Sequence, residues 1–126
     1  MLFEVSSKKT LAEIGRGLEE AAARHGFGVI AVHDLKETMR KKGVEFAGEC
    51  TIYEVCNPQQ AKRVLEANGA ISTALPCRIS VYREGGAYKL ATIRPTALLK
   101  MFGSPGLDEV AREVEEVVTA MMEESA

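Results

Sequence analysis

The fold is decided by residues 56–95, which read CNPQQAKRVLEANGAISTALPCRISVYREGGAYKLATIRP. At the start of this stretch, Asn57 is suited to cap a helix with its side chain. Pro58 suits the first helical position, because no backbone N–H is needed there. Further on, Gly85-Gly86 predicts a hairpin turn, because glycine takes positive φ without steric cost. The stretch therefore predicts a capped helix followed by two antiparallel strands.

The hairpin turn also fixes which side chains share a face. With the turn at residues 85 and 86, Val81 lies opposite Leu90 on the more apolar face. Cys77 shares that face, so we expect it to point towards the core. Arg78 lies on the other, polar face with Lys89. These two cations are candidates for holding an anionic ligand or a carboxylate of a partner chain.

The spacing of apolar residues predicts the helices and strands on either side of this stretch. Short apolar runs predict strands at 2–5, 27–32 and 49–55, and stripes at helical spacing predict further helices. The predicted caps of these helices are Ser6-Ser7, Asp34 and Ser104-Pro105. Five strands and five helices predict a single domain over residues 1–126, of α/β or α+β class, with helices covering a sheet.

A pair of glycines interrupts the first predicted helix. Gly15 and Gly17 lie in its middle, where glycine costs helix stability. We expect this position to allow close packing against another helix or the sheet.

Composition excludes several classes of protein. The chain has 126 residues, 46% of them hydrophobic and 27% charged, with a formal net charge of -2. This balance lacks the basic surface of a nucleic-acid-binding protein. No apolar run reaches the ~18 residues of a membrane span, and residues 1–9 lack a signal-peptide apolar region. Three cysteines, an odd number, favour reduced thiols and a cytoplasmic location.

Several short motifs together carry a family resemblance. Cys56-Asn57-Pro58, Leu75-Pro76-Cys77-Arg78-Ile79 and Ile93-Arg94-Pro95 occur in this order, and the chain resembles domain-of-unknown-function family 302 over roughly residues 11–99. The resemblance implies an α+β, double-split β-α-β fold, found in bacterial and archaeal proteins and often in homodimers. It implies no established reaction. The family often has Asn where this chain has Arg78, which removes any role that depends on an amide there.

The candidate site lies where the capped helix begins. Cys56 directly precedes that helix start, where free N–H groups and the helix dipole lower a thiol pKa and attract anions. Cys77 begins a following strand. We therefore expect Cys56 and Cys77 to border one cavity beside Asn57 and Pro58, with Arg78 as a further ligand-binding residue. Alternatively, both cysteines are small packed hydrophobic residues.

Two functions from different classes fit these residues. The first is a homodimeric binding module for a small anionic or apolar ligand, without nucleic-acid or membrane partners. The second is a thiol-based enzyme or redox protein that uses Cys56 and Cys77. A structural subunit is a third reading, supported by the apolar stripe at 107–121, which also favours a dimer. No general base lies beside a thiol in an obvious way, which favours the first function over the second.

Other chemistry finds little support. Cys50 and Cys56 are too widely spaced for a zinc ligand pair, and His25 and His33 have no matching partner, so no metal site is predicted. His33 and Asp34 are adjacent on a strand end and point to opposite faces, which argues against a catalytic pair. No cofactor motif occurs.

Overall fold

Five strands form one antiparallel sheet in the order β1-β5-β4-β3-β2, in a computed structural model that describes residues 1–126. The strands are β1 (Leu2–Ser7), β2 (Gly28–Asp34), β3 (Cys50–Cys56), β4 (Cys77–Glu84) and β5 (Ala87–Ile93). The helices are α1 (Leu11–Arg24), α2 (Leu35–Lys41), α3 (Pro58–Ala67), α4 (Pro95–Lys100) and α5 (Asp108–Ser125), with a 3-10 segment at Gly69–Ala74. The predicted α+β class is confirmed.

One face of the sheet packs against the core, and most side chains of the other face are partly or fully exposed. Along β3, Thr51, Tyr53 and Val55 are buried and the residues between them are only partly so. The buried face contributes to one hydrophobic core that includes Ile14 of α1 and Val118 of α5. The opposite face is called the open face below, and it carries the side chains of Ile52, Glu54, Arg78, Ser80 and Ala91.

The β4–β5 hairpin has the predicted register. Val81 lies opposite Leu90 and Arg83 opposite Tyr88, and Gly85 in the turn has a φ of +63°. Cys77 lies on the buried side of β4 and packs against the core, as expected. Which face of β3 is buried could not be read from its sequence, because a polar residue, Thr51, belongs to the buried set.

Two predicted helix caps are confirmed. The side-chain oxygen of Asn57 accepts hydrogen bonds from the backbone N–H groups of Gln59, at 3.0 Å, and Gln60, at 3.2 Å. Asp34 accepts one from the N–H of Glu37 at 3.1 Å. Each cap satisfies amides that have no partner within their own helix.

The other two predicted caps are wrong. Strand β1 continues through Ser7, so α1 begins after Thr10, whose hydroxyl accepts from the N–H of Glu13 at 3.2 Å. Turns occupy residues 101–103 and 105–106, and α5 begins only at Asp108, so its N-cap residue is Leu107, whose side chain has no hydrogen-bond acceptor. The Ser104 hydroxyl instead accepts from the Asn68 side chain at 3.1 Å. Both errors arise where a strand or turn extends past a good capping residue.

The glycines of α1 lie at close approaches, as predicted. A Cβ atom added to Gly15 would lie 2.7 Å from the Tyr53 hydroxyl on β3. A Cβ atom added to Gly17 would lie 3.2 Å from the Cα of Ser125 on α5. The absence of a side chain at Gly15 therefore lets α1 pack closely against the sheet, and its absence at Gly17 lets α1 pack closely against α5.

The apolar stripe of α5 packs into the hydrophobic core of the same chain. Val114, Val118 and Met121 are buried, so the surplus apolar surface expected on this helix is absent. Large apolar side chains are exposed elsewhere, including Ile30 and Val32 on strand β2 at the sheet edge. None of the helices has both the length and the apolar composition required to cross a membrane.

Candidate ligand-binding cavity

A cavity of about 340 Å³ lies where β3 and β4 meet α3 and α4. We call it the apolar cavity, because 13 of its 18 lining residues are hydrophobic and none is charged. Its floor includes Val55 and Val114, and α3 contributes Ala61 and Val64. The cavity is thus built from the helix that the Asn57 cap starts and from the strand ends on either side of it.

Three of the five predicted site residues line this cavity, namely Cys56, Asn57 and Cys77. The other two lie elsewhere. Pro58 lies outside the cavity, in a separate polar depression at the start of α3. Arg78 points to the open face and lines a second cavity of about 450 Å³, which we call the open-face cavity. The predicted single site is therefore divided between two sides of the sheet.

The helix start offers little to an anion in the apolar cavity. The first free amides of α3, those of Gln59 and Gln60, are already bonded to the Asn57 side chain. The Gln60 side chain donates to Glu113 at 3.2 Å. The Ser72 hydroxyl of the lining donates no hydrogen bond within the protein, so the lining can bond a neutral polar group.

The environment of the two cysteines disfavours the thiolate. Burial, with a smaller effect of nearby Cys56, raises the pKa of Cys77 to about 11. Burial also raises the pKa of Cys56. The lowered pKa expected at the helix start is therefore not found, because Asn57 occupies the amides and apolar residues surround the sulfur atoms. All three cysteines are free thiols.

Sequence reasoning missed two walls of the apolar cavity. One is the 3-10 segment, which supplies Ser72 and Ala74, and the other is α4 with Leu98 and Leu99. The 3-10 segment carries no clear periodic pattern. Helix α4 was predicted, but only the tertiary fold brings it against the ends of β3 and β4.

His33 has a partner that its neighbours in sequence do not reveal. Its Nε2 lies 2.7 Å from Oε1 of Glu54 on the open face, while Asp34 caps α2. The pairing depends on a bulge between Val29 and Ala31, which sets the register of β2 against β3. A register with a bulge cannot be read from the two strands separately.

Comparison with known proteins agrees with this fold. The family model described as "Domain of unknown function DUF302" matches residues 3–125. The chain belongs to the DUF302 family. This DUF302 protein is also similar to an uncharacterized conserved DUF302 protein from Bacillus stearothermophilus, known from a crystal structure. The two are 34% identical, with a TM-score of 0.93, covering 99% of this chain and 98% of the other. No curated protein matches the chain.

Proposed function

We propose that this DUF302 protein binds a small, mainly apolar and electrically neutral molecule in the apolar cavity. The observation that carries the proposal is a cavity of about 340 Å³ whose lining contains no charged side chain. Its volume is within the range of about 300–1,000 Å³ that is common for small-molecule sites. An apolar lining with a few polar groups also matches the composition of such sites.

The polar groups support a ligand with one neutral hydrogen-bonding end. A charged group placed in an apolar cavity without a counter-charge would lose its hydration at a large cost in free energy. The Ser72 hydroxyl has bonding capacity left for a carbonyl or hydroxyl group. An anionic ligand, which the sequence also allowed, finds less support in this cavity.

The test uses the neutral apolar fluorophore N-phenyl-1-naphthylamine, whose emission rises in apolar surroundings. Ala61→Leu places a larger side chain in the cavity from α3. The matched control is Ala67→Leu, which adds the same atoms at an exposed position of the same helix outside the cavity. We expect one probe per chain in the native protein, at least about tenfold weaker binding for Ala61→Leu, and no change for Ala67→Leu.

Two results would overturn this function. One is the absence of saturable probe binding to the native protein. The other is equal binding by both variants, which would place the probe outside the apolar cavity. Native mass spectrometry of the purified protein adds an independent observation, since a copurified neutral molecule would supply the ligand's mass.

A thiol-based enzyme or redox protein is the second candidate. It is supported by two free thiols, Cys56 and Cys77, on neighbouring strands beside one cavity. The raised pKa of both thiols argues against it, because the thiolate is the reactive form. If it is correct, oxidised glutathione at pH 7.5 should lower the mass of the chain by two hydrogen atoms through a Cys56–Cys77 disulfide.

We also propose a homodimer in the cytoplasm. The dimer rests on the family resemblance and on apolar side chains at the edge of the sheet, Ile30 and Val32, which are 61% and 50% exposed. The cytoplasmic location rests on the free thiols.

A further inference from the structure

The open-face cavity differs from the apolar cavity in its charge. It has a volume of about 450 Å³, and nine of its fifteen lining residues are hydrophobic. Arg78 is the only charged residue in its lining. The two cavities share a wall that includes Pro76, Cys77 and Leu98, but only the open-face cavity is lined by Ile52, Arg78 and Ser80 of the open face.

The charge of Arg78 is only partly balanced by its neighbours. Its Nε lies 3.5 Å from Oε2 of Glu54, and its two terminal nitrogens make no hydrogen bond. The other oxygen of Glu54 lies 2.7 Å from His33, so this carboxylate is shared between two side chains. By contrast, Lys89 on the same face has two carboxylates nearby, Glu4 at 3.4 Å and Glu84 at 3.5 Å.

The hydroxyl groups of this cavity are already used within the protein. Thr92 donates to the backbone oxygen of Arg78 at 2.7 Å, and Thr73 donates to that of Ala70 at 2.8 Å. Ser80 lies 3.8 Å from the Cys50 sulfur. The unused donors are therefore mainly those of the guanidinium, whose planar pair of terminal nitrogens suits a carboxylate or phosphate oxygen pair.

We propose that the open-face cavity is a second binding site, for an anionic amphiphile with a carboxylate or phosphate head and an apolar body. The head bonds the terminal nitrogens of Arg78, and the body lies against Ile52, Ala91 and Ile93. The site is independent of the neutral ligand proposed for the apolar cavity.

The experiment measures binding of decanoate and 1-decanol to the native chain by calorimetry at 50 and 300 mM NaCl. Arg78→Gln removes the charge, and Arg83→Gln on the same strand, outside both cavities and paired with Glu49, is the matched control. We expect decanoate to bind about tenfold or more weakly to Arg78→Gln, and more weakly at high salt. Arg83→Gln should bind decanoate like the native chain.

Two cavity-filling variants assign the site. Ala91→Leu fills the open-face cavity and should abolish decanoate binding, whereas Ala61→Leu fills only the apolar cavity and should leave it intact. Loss of decanoate binding in Ala61→Leu with no effect of Arg78→Gln would overturn this second site while supporting the first. Absence of decanoate binding to the native chain, or an equal loss in Arg78→Gln and Arg83→Gln, would also overturn it. Decanol is compared in the Ala61→Leu background, where the apolar cavity is filled. Unchanged decanol binding on adding Arg78→Gln there would confirm that the lost interaction is with the charged head, whereas an equal loss of decanol and decanoate would contradict it.

Discussion

Asn57 links the start of α3 to the lining of the apolar cavity. Its oxygen accepts hydrogen bonds from two helix amides, and its side chain also lines the cavity. Because the Asn57 oxygen already accepts from these amides, the helix start offers little to an anion, although its sequence suggested an anion site.

Replacing Asn57 should show how much its cap of α3 stabilises the fold. We expect Asn57→Ala to lower the free energy of unfolding by about 1 kcal/mol, the usual cost of losing an N-cap. Asn57→Asp keeps the accepting oxygen and should stay close to the native value. Urea unfolding of the three proteins measures the difference. Equal stability of Asn57→Ala and the native chain would mean that the two hydrogen bonds contribute nothing.

Cys77 should make the fold sensitive to alkali. Its pKa is raised to about 11 in the folded chain, so the folded state keeps a proton that the unfolded state loses above about pH 8.5. The thiol therefore contributes its full stability below that pH and loses it progressively up to about pH 11. A pKa difference of two units or more between the folded and unfolded chain corresponds to a loss of about 3 kcal/mol in the free energy of unfolding.

The measurement is urea unfolding at pH 8 and pH 10.5. Cys77→Ala removes the titrating group, so its stability should fall less with pH than that of the native chain. Cys50→Ala serves as the cysteine control and should retain the native pH dependence. The same pH dependence in Cys77→Ala and the native chain would show that another group causes the alkaline loss.

Helix α4 depends on a carboxylate from another helix. Glu115 of α5 accepts hydrogen bonds from the N–H of Thr96, at 3.1 Å, and from its hydroxyl, at 2.6 Å, and lies 3.4 Å from Arg94. Burial alone would raise the pKa of Glu115, but these partners outweigh it and lower the pKa. Since α4 forms one wall of the apolar cavity, this contact also holds the cavity in shape.

Glu115→Gln should therefore destabilise the fold at neutral pH by about 1–2 kcal/mol, because a neutral acceptor replaces the charged one, which weakens the hydrogen bonds from Thr96 and removes the ion pair with Arg94. The stabilisation by the native carboxylate is present above about pH 4.5 and disappears as the pH falls and it becomes protonated. In thermal melts, the difference in melting temperature between the native chain and Glu115→Gln should then narrow below pH 4. Glu116→Gln, at an exposed position of the same helix, is the control, and an equal effect of both changes would contradict the role of Glu115.

Residue patterns that act over a few positions predicted the helices and strands well. The sequence carries no comparable pattern for contacts between distant segments. The caps at Asp34 and Asn57 and the hairpin turn at Gly85 act within a few residues, so the sequence determines them. The partner of His33 and the α4 wall of the cavity depend on register and packing between distant segments. For this reason only three of the 18 residues that line the apolar cavity could be predicted. The hairpin register did predict that Arg78 lies on the face opposite Cys77, but the second cavity beside Arg78 could not be predicted.

The whole protein should form a dimer in solution. Light scattering at micromolar concentration should give twice the mass of the chain. Val32→Lys introduces a charge at the exposed edge of β2 and should produce a monomer, whereas Leu2→Lys, at the opposite edge strand β1, should not. A monomeric native chain would contradict the dimer, and dissociation by Leu2→Lys alone would move the interface to the other edge.

The pairing of β1 with β5 has a consequence for the route of folding. Residues that are adjacent in this ladder, such as Phe3 and Thr92, are 89 positions apart in a chain of 126 residues. During synthesis the ribosome releases β1 long before β5, so the early strand has no partner while the middle of the sheet assembles. Such distant contacts slow folding, because a large loop must close before they form. Closure of the β1–β5 ladder should therefore be a late event, and a strand-binding chaperone would meet β1 before its partner exists.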